Sequence, residues 1–172
     1  MAYAVLRYNI FQAISFEHLP LYVTNKALAL SIVVLIFFRL FTKKENHAFY
    51  DITIYAQLLM HVFISLALLS PAYYPKFFHE SKMNVLGELS LLFGVTALVM
   101  FLMRLFVRQH KKFSSIKLPI SMVLFLVSAH VFSMGIPGWI TPLKWSGYLP
   151  PISLIAFVIL IITVLKKSHN KY

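Results

Sequence analysis

The hydrophobic pattern divides the chain into five long apolar runs, separated by short stretches rich in polar residues or proline. The runs cover about residues 21–41, 51–72, 85–107, 118–135 and 149–165. Each is close to the ~20 residues that cross a bilayer core as a helix. Apolar residues are contiguous within each run and do not alternate, which excludes a transmembrane β-barrel. The pattern therefore predicts an all-α, integral membrane bundle of five transmembrane helices, with residues 1–172 forming a single domain. Residues 1–18 read differently. Leu6, Ile10 and Ile14 recur every fourth position, while Arg7 and Glu17 interrupt the stretch. This suits a short helix on the membrane surface or a loosely packed arm, and not a cleavable leader.

Composition strengthens this picture. The chain is 60% hydrophobic and 12% charged, with a mean hydropathy of +0.79. A soluble domain of this length needs a far more polar surface. Cysteine is missing, so disulfides, cysteine-ligated zinc, iron–sulfur clusters and thiolate haem ligation are excluded. The net charge of +11 would suggest nucleic acid in a soluble protein. Here the basic residues cluster at helix ends, where they fix orientation and meet anionic lipid, so the expected partner is the lipid bilayer and no nucleic acid. One set of helix ends holds Arg39, Lys43, Lys44, Arg104, Arg108, Lys111, Lys112, Lys117, Lys166, Lys167 and Lys171, and the other holds Arg7, Lys26, Lys76, Lys82 and Lys144. The richer side is expected to be cytoplasmic, with the N-terminus outside and the C-terminus inside a multi-pass protein of the cytoplasmic (inner) membrane. The two outer connections, PAYYPKFFHESKMN and IPGWITPLKWSGYLPP, are rich in aromatic residues and proline. They suit an aromatic belt at the headgroups, or a docking rim above a cofactor.

Two ionisable residues lie deep in the apolar runs. His61 is about ten residues beyond the inner end of the second run, and His130 about twelve beyond the inner end of the fourth. At 1.5 Å per residue both lie about 15–20 Å from the inner boundary, on helices running in the same direction. Ionisable residues inside a membrane are costly and mark functional sites by default. Two neutral imidazoles at one depth can ligate a single haem iron from both faces, provided an acceptor holds the second nitrogen of each. The alternative is a pair of separate interhelical hydrogen bonds. Thr53, Gln57, His61 and Ser65 form one slowly drifting stripe, and Ser133 is a near neighbour of His130. Gly87, Ser90 and Gly94 form a small-residue stripe on the third run, suited to tight packing or to room for a flat macrocycle. His47 and His110 lie near the inner boundary, His18 and His79 outside, and His169 in the tail; all five read as interfacial.

Taken with these histidines, the segments LPLYVTNKALALS, MHVFISLALLSPAYYPKFF, GELSLLFGVTAL and AHVFSMGIPGW resemble the ferric reductase-like transmembrane domain group, the MsrQ/YedZ-like haem b membrane proteins. The resemblance spans residues 19–165 and is carried by the words around His61 and His130. It implies a helical bundle that binds b-type haem and passes electrons across or along the membrane. Many members of the wider group hold two haems between two histidines on each of two helices. Here His47 and His61 have that spacing, but Lys117 stands thirteen residues before His130, and His110 is a poor replacement at the interface. One haem b is therefore expected. The chain shows no glycine-rich dinucleotide fingerprint and no flavin or nicotinamide domain.

Electrons would then come from quinol in the bilayer's quinone pool or from a redox partner protein, in the membrane or at the outer face, with an acceptor on the outer face. Glu88 is the candidate proton acceptor at a quinone site, against the plainer reading of an interfacial carboxylate paired with Lys82. The chain would thus be an oxidoreductase electron-transfer subunit. A different class of function, an accessory subunit of a larger membrane complex, would use the histidines for packing. A transporter is disfavoured, since neither an inverted repeat nor paired broken helices are evident.

Overall fold

The computed structural model describes residues 1–109 and 119–169. Five helices long and apolar enough to cross a membrane dominate it. A short N-terminal helix α1 (Ala2–Val5) continues as a wider turn over Leu6–Phe11. The long helices are α2 (Thr24–Phe41), α3 (His47–Ala67), α4 (Val85–Gln109), α5 (Ile120–Trp139) and α6 (Ile152–His169). Between α3 and α4 lies a small ribbon, β1 (Phe78–His79) and β2 (Lys82–Met83), pairing antiparallel with Phe78 opposite Met83. The all-α expectation holds for the bundle, and this ribbon is its one addition among the described residues.

Several helix ends differ from the hydrophobic pattern. α3 starts at His47, ahead of the expected residue 51, and Asp51 in its second turn pairs with Arg39 of α2. It ends at Ala67, ahead of residue 72. The residue before a proline is driven out of helical geometry, and Ser70 precedes Pro71. The chain turns there, with Ser70 N–H donating to Leu68 O at 2.8 Å and Tyr74 N–H to Ser70 O at 2.9 Å. α5 runs past residue 135 and through Pro137, which removes a backbone donor from its last turn. That turn is stitched from outside. Trp145 Nε1 donates to Gly138 O at 2.9 Å, Trp139 Nε1 donates to Ser153 Oγ at 3.0 Å, and the Lys76 ammonium donates to Met134 O. The tryptophans thus tie the end of α5 to its connection and to α6, a more specific role than a scattered belt.

The N-terminal segment is packed, but not by the face its periodicity suggests. Leu6 and Ile10 are exposed, whereas Ala4, Arg7 and Asn9 are buried. Tyr3 OH donates to Pro150 O at 2.5 Å, and the Arg7 guanidinium donates to Leu149 O. The carbonyls of the Pro150–Pro151 turn need donors, and the polar side of the segment supplies them. These contacts gather residues 1–23, 68–84 and 140–151 into one N-terminal rim. The opposite rim is closed by the Arg39–Asp51 pair, by His47 Nε2 donating to Thr42 O at 3.1 Å, and by Lys166 Nζ 3.9 Å from the centre of the Phe41 ring.

Packing runs in a row, α3 against α2, α2 against α6, α6 against α5 and α5 against α4. The core sits in the middle of this row, where Val33, Leu124, Ala156 and Leu160 close against one another. α3 and α4 are the two ends of the row and the helices least covered by protein. Neither end packs extensively on the other, nor does α3 on α5. The consequence for function is a bundle whose two histidine-bearing helices are not packed tightly on each other.

Candidate cofactor site

His61 is placed by α3 and oriented by α2. Its Nδ1 lies 2.7 Å from Asn25 Oδ1. A carboxamide oxygen only accepts, so Nδ1 carries the proton and donates. Asn25 is 1% exposed and uses its other atoms as well. Its Nδ2 donates to Ser65 Oγ at 2.9 Å and to Tyr74 OH at 3.2 Å, and Ser65 Oγ donates back to Oδ1 at 3.4 Å. Ser65 is one helical turn beyond His61 on the same stripe, so one α2 side chain grips two successive polar positions of α3. Tyr74 brings in the rim. It stacks on Phe77 with ring centres 5.8 Å apart, and burial holds its phenol above the usual pKa, so it stays protonated. The lower half of the stripe behaves differently. Thr53 Oγ1 donates to Phe49 O of its own helix at 2.8 Å, and Gln57 Oε1 is buried without a hydrogen-bond partner.

His130 is placed by α5 and oriented by α4. Its Nδ1 donates to the backbone carbonyl of Ser90 at 2.7 Å, with Ser90 Oγ at 3.3 Å. A helical carbonyl points towards residue i+4, which here is Gly94. A β-carbon built on Gly94 would come within 2.9 Å of His130 Nδ1 and 3.1 Å of Cε1. Glycine at 94 is therefore what lets the imidazole lie on the surface of α4 and reach that carbonyl. The small-residue stripe thus makes room for the His130 ring, while Gly87 serves the rim, pressed against Phe77 and Met83. Ser133 does not join; its hydroxyl donates to Ala129 O at 2.8 Å within α5.

The two halves arrive at the same chemical state. Each imidazole donates through Nδ1 to an oxygen, so each neutral ring has its lone pair on Nε2. Neither Nε2 has a hydrogen-bond partner among the described residues. Both rings are only partly covered by protein, and they lie near enough to interact electrostatically. In their neutral form, two Nε2 lone pairs with oriented second nitrogens, on helices not packed tightly on each other, fit the requirements of bis-imidazole ligation. Among the described residues there is no group of three or more His, Asp or Glu able to hold a metal ion.

The other candidates lie elsewhere. Glu88 is exposed in the first turn of α4, two positions and so about 200° around the helix from Ser90. No ion pair with Lys82 is present there among the described residues. His47 is engaged with Thr42 at the opposite rim, and His79 is exposed in β1. His110 and Lys117, and the side chains of His18 and His169, lie outside the described residues.

Two residues near the histidines have contacts that the sequence pattern did not assign them. Asn25 was one apolar run's polar interruption, and the reasoning that marked His61 applies equally to a carboxamide in a span. Lys26 follows it inside the spanning segment Pro20–Phe41, with Nζ 5.1 Å from the Tyr22 ring centre and 4.6 Å from that of Tyr74. No protein-family model, characterised protein or solved structure matches this chain.

Proposed function

We propose that this chain is a membrane electron-transfer protein that holds one haem b between His61 and His130. The observation that carries the reading is the pair of unpartnered Nε2 atoms on rings whose Nδ1 atoms are tied. Histidines serving only as glue would gain about 0.6 kcal/mol for each interhelical hydrogen bond. They would leave a polar nitrogen uncovered in hydrocarbon, which costs roughly 2 kcal/mol or more. The cost exceeds the gain, so the arrangement makes sense when Nε2 has a ligand.

A bound haem b would supply a one-electron iron couple. The chain's own residues supply the rest. Asn25 and the Ser90 carbonyl fix both tautomers, and Gly94 lets the His130 ring reach its acceptor. The apolar helices exclude water. The tyrosine-rich N-terminal rim faces outside in this reading, following the distribution of basic residues, and the protein lies in the cytoplasmic membrane. Quinone in the bilayer and a partner at the outer rim are its redox partners.

The test is the visible spectrum of protein purified in mild detergent after expression with ample haem, first oxidised and then reduced with dithionite. A Soret band with sharp reduced α and β bands is expected. A colourless, folded protein overturns the proposal and makes an accessory role in a larger complex the better reading.

A further inference from the structure

Lys26 is a cation in an unusual place. It sits inside a spanning segment, next in sequence to the asparagine that orients His61. Its ammonium lies over the rings of Tyr22 and Tyr74. It is close enough to feel both His61 and His130. Yet no carboxylate and no hydrogen-bond acceptor contacts it among the described residues. Tyr74, its nearest acidic neighbour, is a neutral phenol. The chain has only five acidic residues, and Asp51 is held at the opposite rim by Arg39.

An ammonium drawn away from water is costly unless paired, and cation–π contacts offset only part of that cost. A half-buried ammonium over two neutral rings, with no acidic partner among the described residues, calls for an anion. We infer that Lys26 is the counter-ion for a carboxylate carried by the group that His61 and His130 hold. This inference rests on the haem reading above, and haem b fits it because the macrocycle bears two propionate carboxylates. Lys76, a second cation close enough to interact with Lys26, has its ammonium already engaged with the Met134 carbonyl. Lys26 thereby fixes which edge of the macrocycle turns towards the N-terminal rim. As a fixed positive charge it also stabilises the more electron-rich form of the site.

The experiment compares two porphyrins in two proteins. Detergent-solubilised wild type and Lys26→Gln are stripped of haem and titrated with haemin and with haemin dimethyl ester, whose carboxylates are masked. Wild type is expected to bind haemin about tenfold or more tightly than the ester, the size of a charge-assisted hydrogen bond. K26Q should bind the two alike, and Lys26→Arg should restore the preference. The midpoint potential of haemin-loaded K26Q should shift down relative to wild type, and K26R should not. Equal binding of haemin and ester by wild type overturns the inference without depending on any variant. Unchanged preference and potential in K26Q overturn it as well. Failure of wild type to bind either porphyrin overturns the haem reading, and this inference with it.

Discussion

The two histidines reach the same tautomer by opposite means. His61 is held by a side chain, Asn25, at the centre of a network that includes Ser65 and Tyr74. His130 is held by a backbone carbonyl, reached across a glycine. The first arrangement can be dismantled by changing one residue's chemistry. The second can be dismantled only by adding bulk, because no substitution removes a carbonyl. One half-site is thus sensitive to deletion and the other to addition, and this asymmetry makes the site open to test.

The largest effects should erase the difference. On the proposed reading, His61→Ala and His130→Ala each remove one of the two nitrogens that would hold the haem, so each should abolish the six-coordinate spectrum while the helical circular dichroism persists. Loss with one and full retention with the other would refute symmetric ligation. The next effect should expose the asymmetry. Gly94→Ala places a methyl 2.9 Å from His130 Nδ1. The ring must leave its carbonyl or α4 and α5 must part, and affinity for haem should fall by about tenfold or more, as for loss of an orienting contact. An unchanged affinity in haem-competition titrations would show that the ring does not need α4.

Asn25→Ala strikes the other half. It releases His61 Nδ1 and leaves Ser65 and Tyr74 without their shared partner. Loss of an outer hydrogen bond to a ligating histidine typically costs 10–100-fold in affinity for the ligated group, at about the level of the Gly94 variant. Stability should also fall, since Asn25 joins α2, α3 and the rim. The measurement is the thermal midpoint of the haem-free protein beside the affinity. A drop in stability with haem binding intact would reduce Asn25 to a packing residue.

What the sequence made legible follows the same division. Five spans and the polar positions His61 and Ser65 on one stripe are properties of side-chain pattern, and pattern shows in a single chain. The partner of His61 was visible in principle, as a carboxamide within the first run. The partner of His130 was not, because a backbone carbonyl has no letter. Gly94 appeared only as one member of a small-residue stripe, and its particular task needed the position of the ring opposite. The N-terminal segment misled for a related reason. The carbonyls of residues 149 and 150 draw Arg7 and Tyr3 inward, against the hydrophobic periodicity, and only the fold brings them together. The helix ends at Ala67 and Trp139 likewise depend on distant partners and on proline geometry.

The smallest effect is the most discriminating. Ser90→Ala removes the hydroxyl 3.3 Å from His130 Nδ1 but leaves the carbonyl at 2.7 Å. If the hydroxyl were the acceptor, S90A would untie the ring and resemble Asn25→Ala. If the carbonyl is the acceptor, the proton on Nδ1 keeps its shorter bond. Haem affinity should then stay within about twofold of wild type, since a weak polar contact is worth only a few tenths of a kcal/mol. The same competition titration reads both variants. A loss in S90A as large as in N25A would mean that both half-sites are built from side chains. The contrast between them would then disappear, and Gly94 would have to be explained by helix packing alone.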